Sequence, residues 1–160
     1  MNNGILIREA TPRDIPEILR QRRAMYQDMD YKDTKKLAAM VATSAVYLSV
    51  ALPAGSFRAW LAVSGERVVG GGAVLISPWP SHPNNGQCLR ATILNVYTYP
   101  YYRKKGIGRQ LMQTMIDWCR KEDFAFVSLH ASKDGRHLYE SMGFEPTNEM
   151  RLNLRSGTKH

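Results

Sequence analysis

Cysteine is scarce in this chain, and acidic side chains are outnumbered. The two cysteines, Cys88 and Cys119, stand without metal-ligand spacing, which argues against a metal centre and a disulfide framework. Cys119 falls on the apolar stripe of a helix, so a buried thiol is expected there. Fourteen Asp and Glu against 22 Lys and Arg leave a formal charge of +8 and a pI near 9.7. That balance favours anionic partners: nucleotides, nucleic acid or an acidic membrane surface. The start, Met-Asn-Asn-Gly-Ile-Leu-Ile-Arg, lacks the apolar stretch of a signal peptide. The longest uncharged run, Leu37 to Gly55, is rich in Ala, Ser and Thr, contains Pro53, and reads as too short and too polar to span a bilayer. A cytoplasmic, reduced location is therefore expected. Repeats, low-complexity segments and linkers are absent too, so one domain over residues 1–160 is expected, with an ordered core of about 5–154.

What the chain does have is a basic glycine loop, Arg103-Lys104-Lys105-Gly106-Ile107-Gly108. An extended apolar stretch, Ala91 to Thr98, closed by Pro100, precedes it. A helical pattern follows, with Ile107, Leu111, Met115, Trp118 and Cys119 on one face. Glycine lets backbone come close to a ligand, and the first turn of a helix presents N–H groups that have no partner within the helix. The positive end of the helix dipole lies behind them. The three cations in front add attraction at longer range. The motif reads as a phosphate or pyrophosphate cradle. It is not Gly-x4-Gly-Lys-[Ser/Thr], and it lacks the third glycine and downstream acid of a dinucleotide fingerprint, so its ligand stays open at this point.

Along the chain, Ile5 to Glu9 predicts a strand, and Thr11-Pro12-Arg13-Asp14 a helix start with Thr11 as N-cap. That helix carries Ile15, Ile18 and Leu19 inward and ends near Tyr26. Residues 28–33 form a polar connection. Thr34 to about Leu52 predicts a second helix, with Leu37, Met40, Val41, Ser44, Tyr47 and Leu48 on one face and a stop at Pro53-Ala54-Gly55. Phe57 to Val63 and Arg67 to Ile76 predict a hairpin. Within it, Gly70-Gly71-Gly72 marks a bulge or a close packing approach. Ser77 to Gln87 reads as a long loop, Cys88 to Thr98 as the central strand, and residues 107–121 as a helix. Phe124 to Ala131 then predicts a strand, Arg136 to Met142 a short helix ended by Gly143, and Asn148 to Leu154 a last strand. Another short strand is expected near Glu145, and the tail Arg155 to His160 has no reason to be ordered. The pattern is α+β, with one right-handed β-α-β unit.

These residues resemble the GCN5-related N-acetyltransferase (GNAT) family. The stretch Val96 to Met112, with its Arg-x-x-Gly-x-Gly, is similar to that family's acetyl-CoA signature. Leu138-Tyr139-Glu140-Ser141-Met142-Gly143-Phe144 resembles its second hallmark, and Ile7 to Asp14 its opening strand and helix. The resemblance implies a central mixed, mostly antiparallel sheet of six to seven strands with about four helices on both faces, splayed at the central strands.

It also implies a reaction: direct transfer of the acetyl group of acetyl-CoA to a primary amine of a small molecule or peptide, without metal. The pyrophosphate would lie on the loop of Arg103, Lys104, Lys105, Gly106, Ile107, Gly108 and Arg109. The pantetheine arm would pair with the strand edge at Val96 and Thr98, and an amide near Val96 or Tyr97 would polarise the thioester carbonyl. Ser132 joins the cofactor contacts. Tyr139 is the general acid of this reading; packing of the short helix is the alternative. The central strand offers Asn95 and Tyr97 where relatives often carry a carboxylate, so no side-chain base is evident. His130 and His82 read as structural or surface residues, and Asp30 and Asp33 as solvated turn residues. Trp79 in the Ser77 to Gln87 loop is a possible acceptor contact. A non-catalytic CoA-binding sensor is the second class. A nucleic-acid partner is not expected: no RNA-binding aromatic motif occurs, and Arg20, Arg22 and Arg23 read as a solvated helix face. Homodimerisation is a family habit.

Overall fold

The computed structural model describes residues 4–155, so the expectation for the tail at 156–160 lies outside the described residues. The chain divides into two units, Met1–His130 and Ala131–His160, each described by itself.

In the first unit, strand β1 (Ile5–Glu9) leads through a turn of 3-10 helix at Pro12–Asp14 into α1 (Ile15–Asp28). Asp14 organises the junction. Its Oδ2 accepts from the Thr11 backbone N–H at 2.8 Å, and Arg8 donates to both carboxylate oxygens at 2.9 Å. Helix α2 (Thr34–Ala54) starts on Asp33, whose Oδ1 accepts from the backbone N–H groups of Lys35 and Lys36 at 3.0 and 3.1 Å. It ends at Gly55, which takes the left-handed conformation at φ +82°. Pro53 is thus inside the last turn rather than at the stop.

Leu37, Leu48 and Ala51 form the buried side of α2; Tyr47, expected on the same face, is 47% exposed. The helix is 21 residues long and carries no charge after Lys36. By length and composition it is apolar enough to cross a membrane. By length and composition alone this differs from the expectation that the run is too short and too polar, since the helix begins at Thr34, three residues before the uncharged run, and continues to Ala54.

Strands β2 (Phe57–Ser64) and β3 (Arg67–Pro78) form the hairpin, and β4 (Leu89–Thr98) pairs antiparallel with β3. Helix α3 (Ile107–Lys121) carries the chain across to β5 (Val127–Leu129), which runs parallel to β4. The sheet order is β1-β2-β3-β4-β5. Against one face pack α1 and α2, around Ile18, Leu19, Leu48, Phe57 and Leu61. On the other face lies α3, with Ile107, Leu111, Met112, Met115 and Cys119 buried. Cys119 is a free thiol, and burial pushes its pKa up to about 11, which keeps it protonated and unreactive.

The triple glycine of β3 serves both purposes expected of it. The register shifts between Gly71 and Ala73. A Cβ on Gly70 would come within 2.7 Å of the Tyr97 carbonyl oxygen, one on Gly71 within 2.4 Å of Gln21 Oε1, and one on Gly72 within 2.7 Å of Met115 Cε. At Gly70 the neighbour is backbone, so glycine is required there by space; at Gly71 and Gly72 the nearest atoms are the ends of the flexible Gln21 and Met115 side chains.

The sheet has five strands, not the six to seven expected. Strand β5 covers Val127–Leu129 only, and no strand forms near Glu145 or over 148–154 among the described residues. Met150, Leu152 and Leu154 alternate as a strand would, yet are 94, 79 and 86% exposed. Alternation fixes which way side chains would point. A strand also needs a neighbour for its N–H and C=O groups, and that segment has none in the sheet. In the second unit the regular element is α4 (Arg136–Ser141).

Candidate active site

Two features of the backbone shape the end of β4. The first is a bulge. Leu94 pairs with Ala73 and Tyr97 with Gly71, so Asn95 and Val96 together face Gly72. Asn95 adopts φ +58°, a left-handed conformation that asparagine tolerates better than most residues. The second is a parting of strands. The ladder between β4 and β5 pairs Ala91, Thr92 and Ile93 with Val127, Ser128 and Leu129 and then ends. Residues 94–98 of β4 therefore present an edge beyond the reach of β5, with the bulge inside it.

Past this edge, a 3-10 turn at Pro100–Tyr102 delivers the basic loop. Lys104 at φ +61° and Gly106 at φ +82° reverse the chain, so that α3 begins at Ile107 with its axis aimed at the loop. No side chain caps that helix start. Arg103, Lys104, Lys105 and Arg109 surround it, all exposed. Lys105 Nζ lies 5.0 Å from the Tyr101 ring centroid, a cation–π arrangement that leaves its charge at the surface. Arg103 is turned inward instead. Its Nε donates to the Thr98 carbonyl at 2.8 Å, its Nη2 to Asp28 Oδ2 at 2.5 Å, and its guanidinium stands 5.4 Å from the Tyr97 ring centroid.

On the α1 side of the bulge sits a polar cluster. Arg22 Nη1 donates to Asn95 Oδ1 at 2.6 Å. Gln21, buried over Gly71, donates from Nε2 to Glu17 Oε1 at 3.2 Å, and Tyr99 Oη donates to the same oxygen at 2.8 Å. Arg20 completes an ion pair with Glu17. Burial, then the Glu17 carboxylate, pushes the Tyr99 pKa up to about 12, so it stays a donor. Tyr97 is also raised, by burial first and Asp28 second.

In the second unit, Ser132 Oγ accepts from the Gly135 N–H at 3.1 Å, which fixes the turn into α4. Tyr139 is buried, with Phe144 edge-on at 6.1 Å, and burial raises its pKa. Its hydroxyl is therefore protonated at neutral pH.

Within the first unit, Val96, Tyr97 and Thr98 lie on the free edge of β4, Arg103 to Gly106 on the loop that continues it, and Ile107 to Arg109 in the first turn of α3. The structure thus brings these together. The other polar residues stay outside. His82 caps its own loop, with Nδ1 accepting from Asn84 N–H at 3.1 Å, His130 is exposed, and Trp79 stacks under Arg90 at 4.6 Å. Asp33 is a helix cap. No cluster of His, Cys, Asp and Glu suited to a metal occurs among the described residues.

Sequence reasoning missed Glu17, Gln21 and Tyr99, and misread Arg22 as solvated. A signal was present. Residues 20, 22 and 23 cannot share one helix face, because at 100° per residue position 22 lies roughly opposite position 20.

Comparison with known proteins decides the family. The family model described as acetyltransferase (GNAT) family matches residues 17–144. The chain belongs to the GNAT family. A solved GCN5-related N-acetyltransferase from Ralstonia eutropha JMP134 is 33% identical, with 94% of this chain and 99% of that one covered and a TM-score of 0.88. A predicted acetyltransferase of Clostridium acetobutylicum, solved with acetyl-CoA, is 22% identical over 97% of this chain and 99% of that one, with a TM-score of 0.86. An aminoglycoside acetyltransferase from an uncultured soil metagenomic sample, solved with sisomicin, is 17% identical over 99% of each chain, with a TM-score of 0.65. These last two share the fold. A search of curated proteins finds no match. As a member of that family the chain is an acetyltransferase.

Proposed function

We propose that this GNAT protein transfers acetyl directly from acetyl-CoA to a primary amine of a small molecule or peptide within a ternary complex. The observation that carries the reading is the end of the β4–β5 ladder at Ile93, beside a basic loop that opens a helix without a side-chain cap. The edge of β4 at Val96 and Thr98 offers hydrogen-bonding groups to the amide-rich pantetheine arm, and the backbone from Lys104 to Arg109 receives the pyrophosphate. An amide near Val96 or Tyr97 polarises the thioester carbonyl as the amine attacks. Arg103 holds this loop against Asp28 and adds its charge. Ser132 contributes a further cofactor contact. Tyr139, a buried phenol that is protonated at neutral pH, delivers a proton to the departing CoA sulfur.

The chain works in this reading as a single domain over 1–160 with a core of about 5–154, cytoplasmic, without nucleic-acid or membrane partners. Thiol release from acetyl-CoA across polyamines, amino acids, aminoglycosides and peptide N-termini tests it. Release with one amine class is the expected result. Acetyl-CoA binding without release by any amine would indicate a sensor, and failure to bind acetyl-CoA would overturn the donor site.

A further inference from the structure

Arg22 has a position that its hydrogen bonds alone do not explain. It is half-buried against the bulge of β4, where Nη1 meets Asn95 Oδ1 at 2.6 Å and Nη2 approaches Tyr26 Oη at 3.5 Å. Its guanidinium carbon stands 5.2 Å from the Tyr26 ring centroid. All of these partners are neutral. The nearby carboxylates are already engaged, Glu17 by Arg20, Gln21 and Tyr99, and Asp28 by Arg103. Among the described residues, Arg22 has no carboxylate partner. Arg8, Arg58 and Arg103, the arginines that bridge separate elements, each have one.

A partly desolvated guanidinium without a counter-charge is costly, and its planar fork of five N–H donors matches a carboxylate. Asn95 and Tyr26 occupy at most one N–H on each terminal nitrogen. We infer that the remaining donors of Arg22 receive a carboxylate of the acceptor, so that the acceptor class is an amine bearing a carboxylate a short spacer away, as in a free amino acid. The inference rests on the acetyltransferase reading above, which puts the reacting thioester at Val96 and Tyr97, next in sequence to Asn95. Anchored on Arg22, a carboxylate brings an amine a few atoms away towards that carbonyl. Tyr26, packed edge-on against Tyr31 at 5.2 Å, supplies an apolar wall beside the anchor.

The test compares kcat/KM for amino acids and for the primary amines that lack only the carboxylate, in wild type, Arg22→Gln and Arg22→Lys. A charge-assisted hydrogen bond contributes roughly 1.5–3 kcal/mol, so wild type is expected to favour the carboxylate-bearing acceptor by about 10- to 100-fold. In Arg22→Gln that ratio falls towards one, mostly through KM, and Arg22→Lys restores part of it. A wild-type ratio of one or less overturns the inference. So does an equal fall for both acceptor series in Arg22→Gln, since that is the signature of an arginine that only holds the bulge. Calorimetric binding of N-acetylamino acids and N-acetylamines to the CoA complex gives the same comparison without turnover. Loss of preference for the acid in Arg22→Gln supports the inference, and equal binding of acid and neutral product by wild type overturns it. Failure of wild type to bind acetyl-CoA is a separate result, which fails the donor-site reading first.

Discussion

Arg103 Nη2 and Asp28 Oδ2 meet at 2.5 Å and so join the C-terminal end of α1 to the start of the basic loop. The same arginine holds the Thr98 carbonyl, the last residue of β4. Both partners of the ion pair are close to half exposed, which limits the pair to about 1 kcal/mol or less. Arg103→Ala is expected to weaken acetyl-CoA binding about tenfold, through a lost charge and a looser loop. Asp28→Asn should weaken it in the same direction by up to about fivefold. Calorimetry measures both. Tighter binding in Asp28→Asn would instead put Arg103 on the phosphates.

Tyr139 should act as an acid over the whole neutral range, because burial holds its hydroxyl above its ordinary pKa. Tyr139→Phe is expected to lower kcat by about 100-fold while the acetyl-CoA Kd stays within about twofold. The wild-type rate should show no loss from ionisation of this group below pH about 10. An unchanged kcat in Tyr139→Phe removes the acid role.

Asp14 links stability to pH. The hydrogen bond from Arg8 is the main cause holding its carboxyl below the ordinary range. With the folded pKa below the unfolded one, its contribution is present above pH about 4 and is lost as pH falls through the folded value. Asp14→Asn is expected to cost about 1 kcal/mol at pH 7, or a Tm lower by roughly 2–4 °C, since it loses both the ion pair and part of the cap. The difference from wild type should shrink as pH falls below the ordinary carboxylate range. A gap that persists there would assign the cost to packing.

Space at Gly70 gives the sharpest stability contrast. Gly70→Ala places a methyl 2.7 Å from the Tyr97 carbonyl oxygen and 3.3 Å from Thr98 Cα, both backbone atoms. It is expected to lose about 1–3 kcal/mol in urea unfolding. Gly86→Ala meets nothing within 4 Å and should stay within about 0.5 kcal/mol of wild type.

Much of the fold follows from local rules that a sequence displays. Thr11 and Asp14 mark the start of α1, Gly55 ends α2, and the helix expected over residues 107–121 is α3. The donor loop was legible because glycine and cation placement is itself local. The missing strands were not, since the alternation along 148–154 says nothing of whether a pairing partner is available. Nor was the cluster on the acceptor side. Arg22 and Asn95 are 73 residues apart, and only the packing of α1 on β4 makes them neighbours.

At the triple glycine the sheet is reduced to bare backbone. Gln21 rests on Gly71 from the α1 side, and Met115 rests on Gly72 from the α3 side. Two adjacent peptides are thus all that separates the helix bearing Arg22 from the helix whose first turn faces the basic loop. A shift of α1 on seating an acceptor would bear on that strand through Gln21, with Met115 of α3 directly behind it. The two substrates would then sense each other through a wall one strand thick.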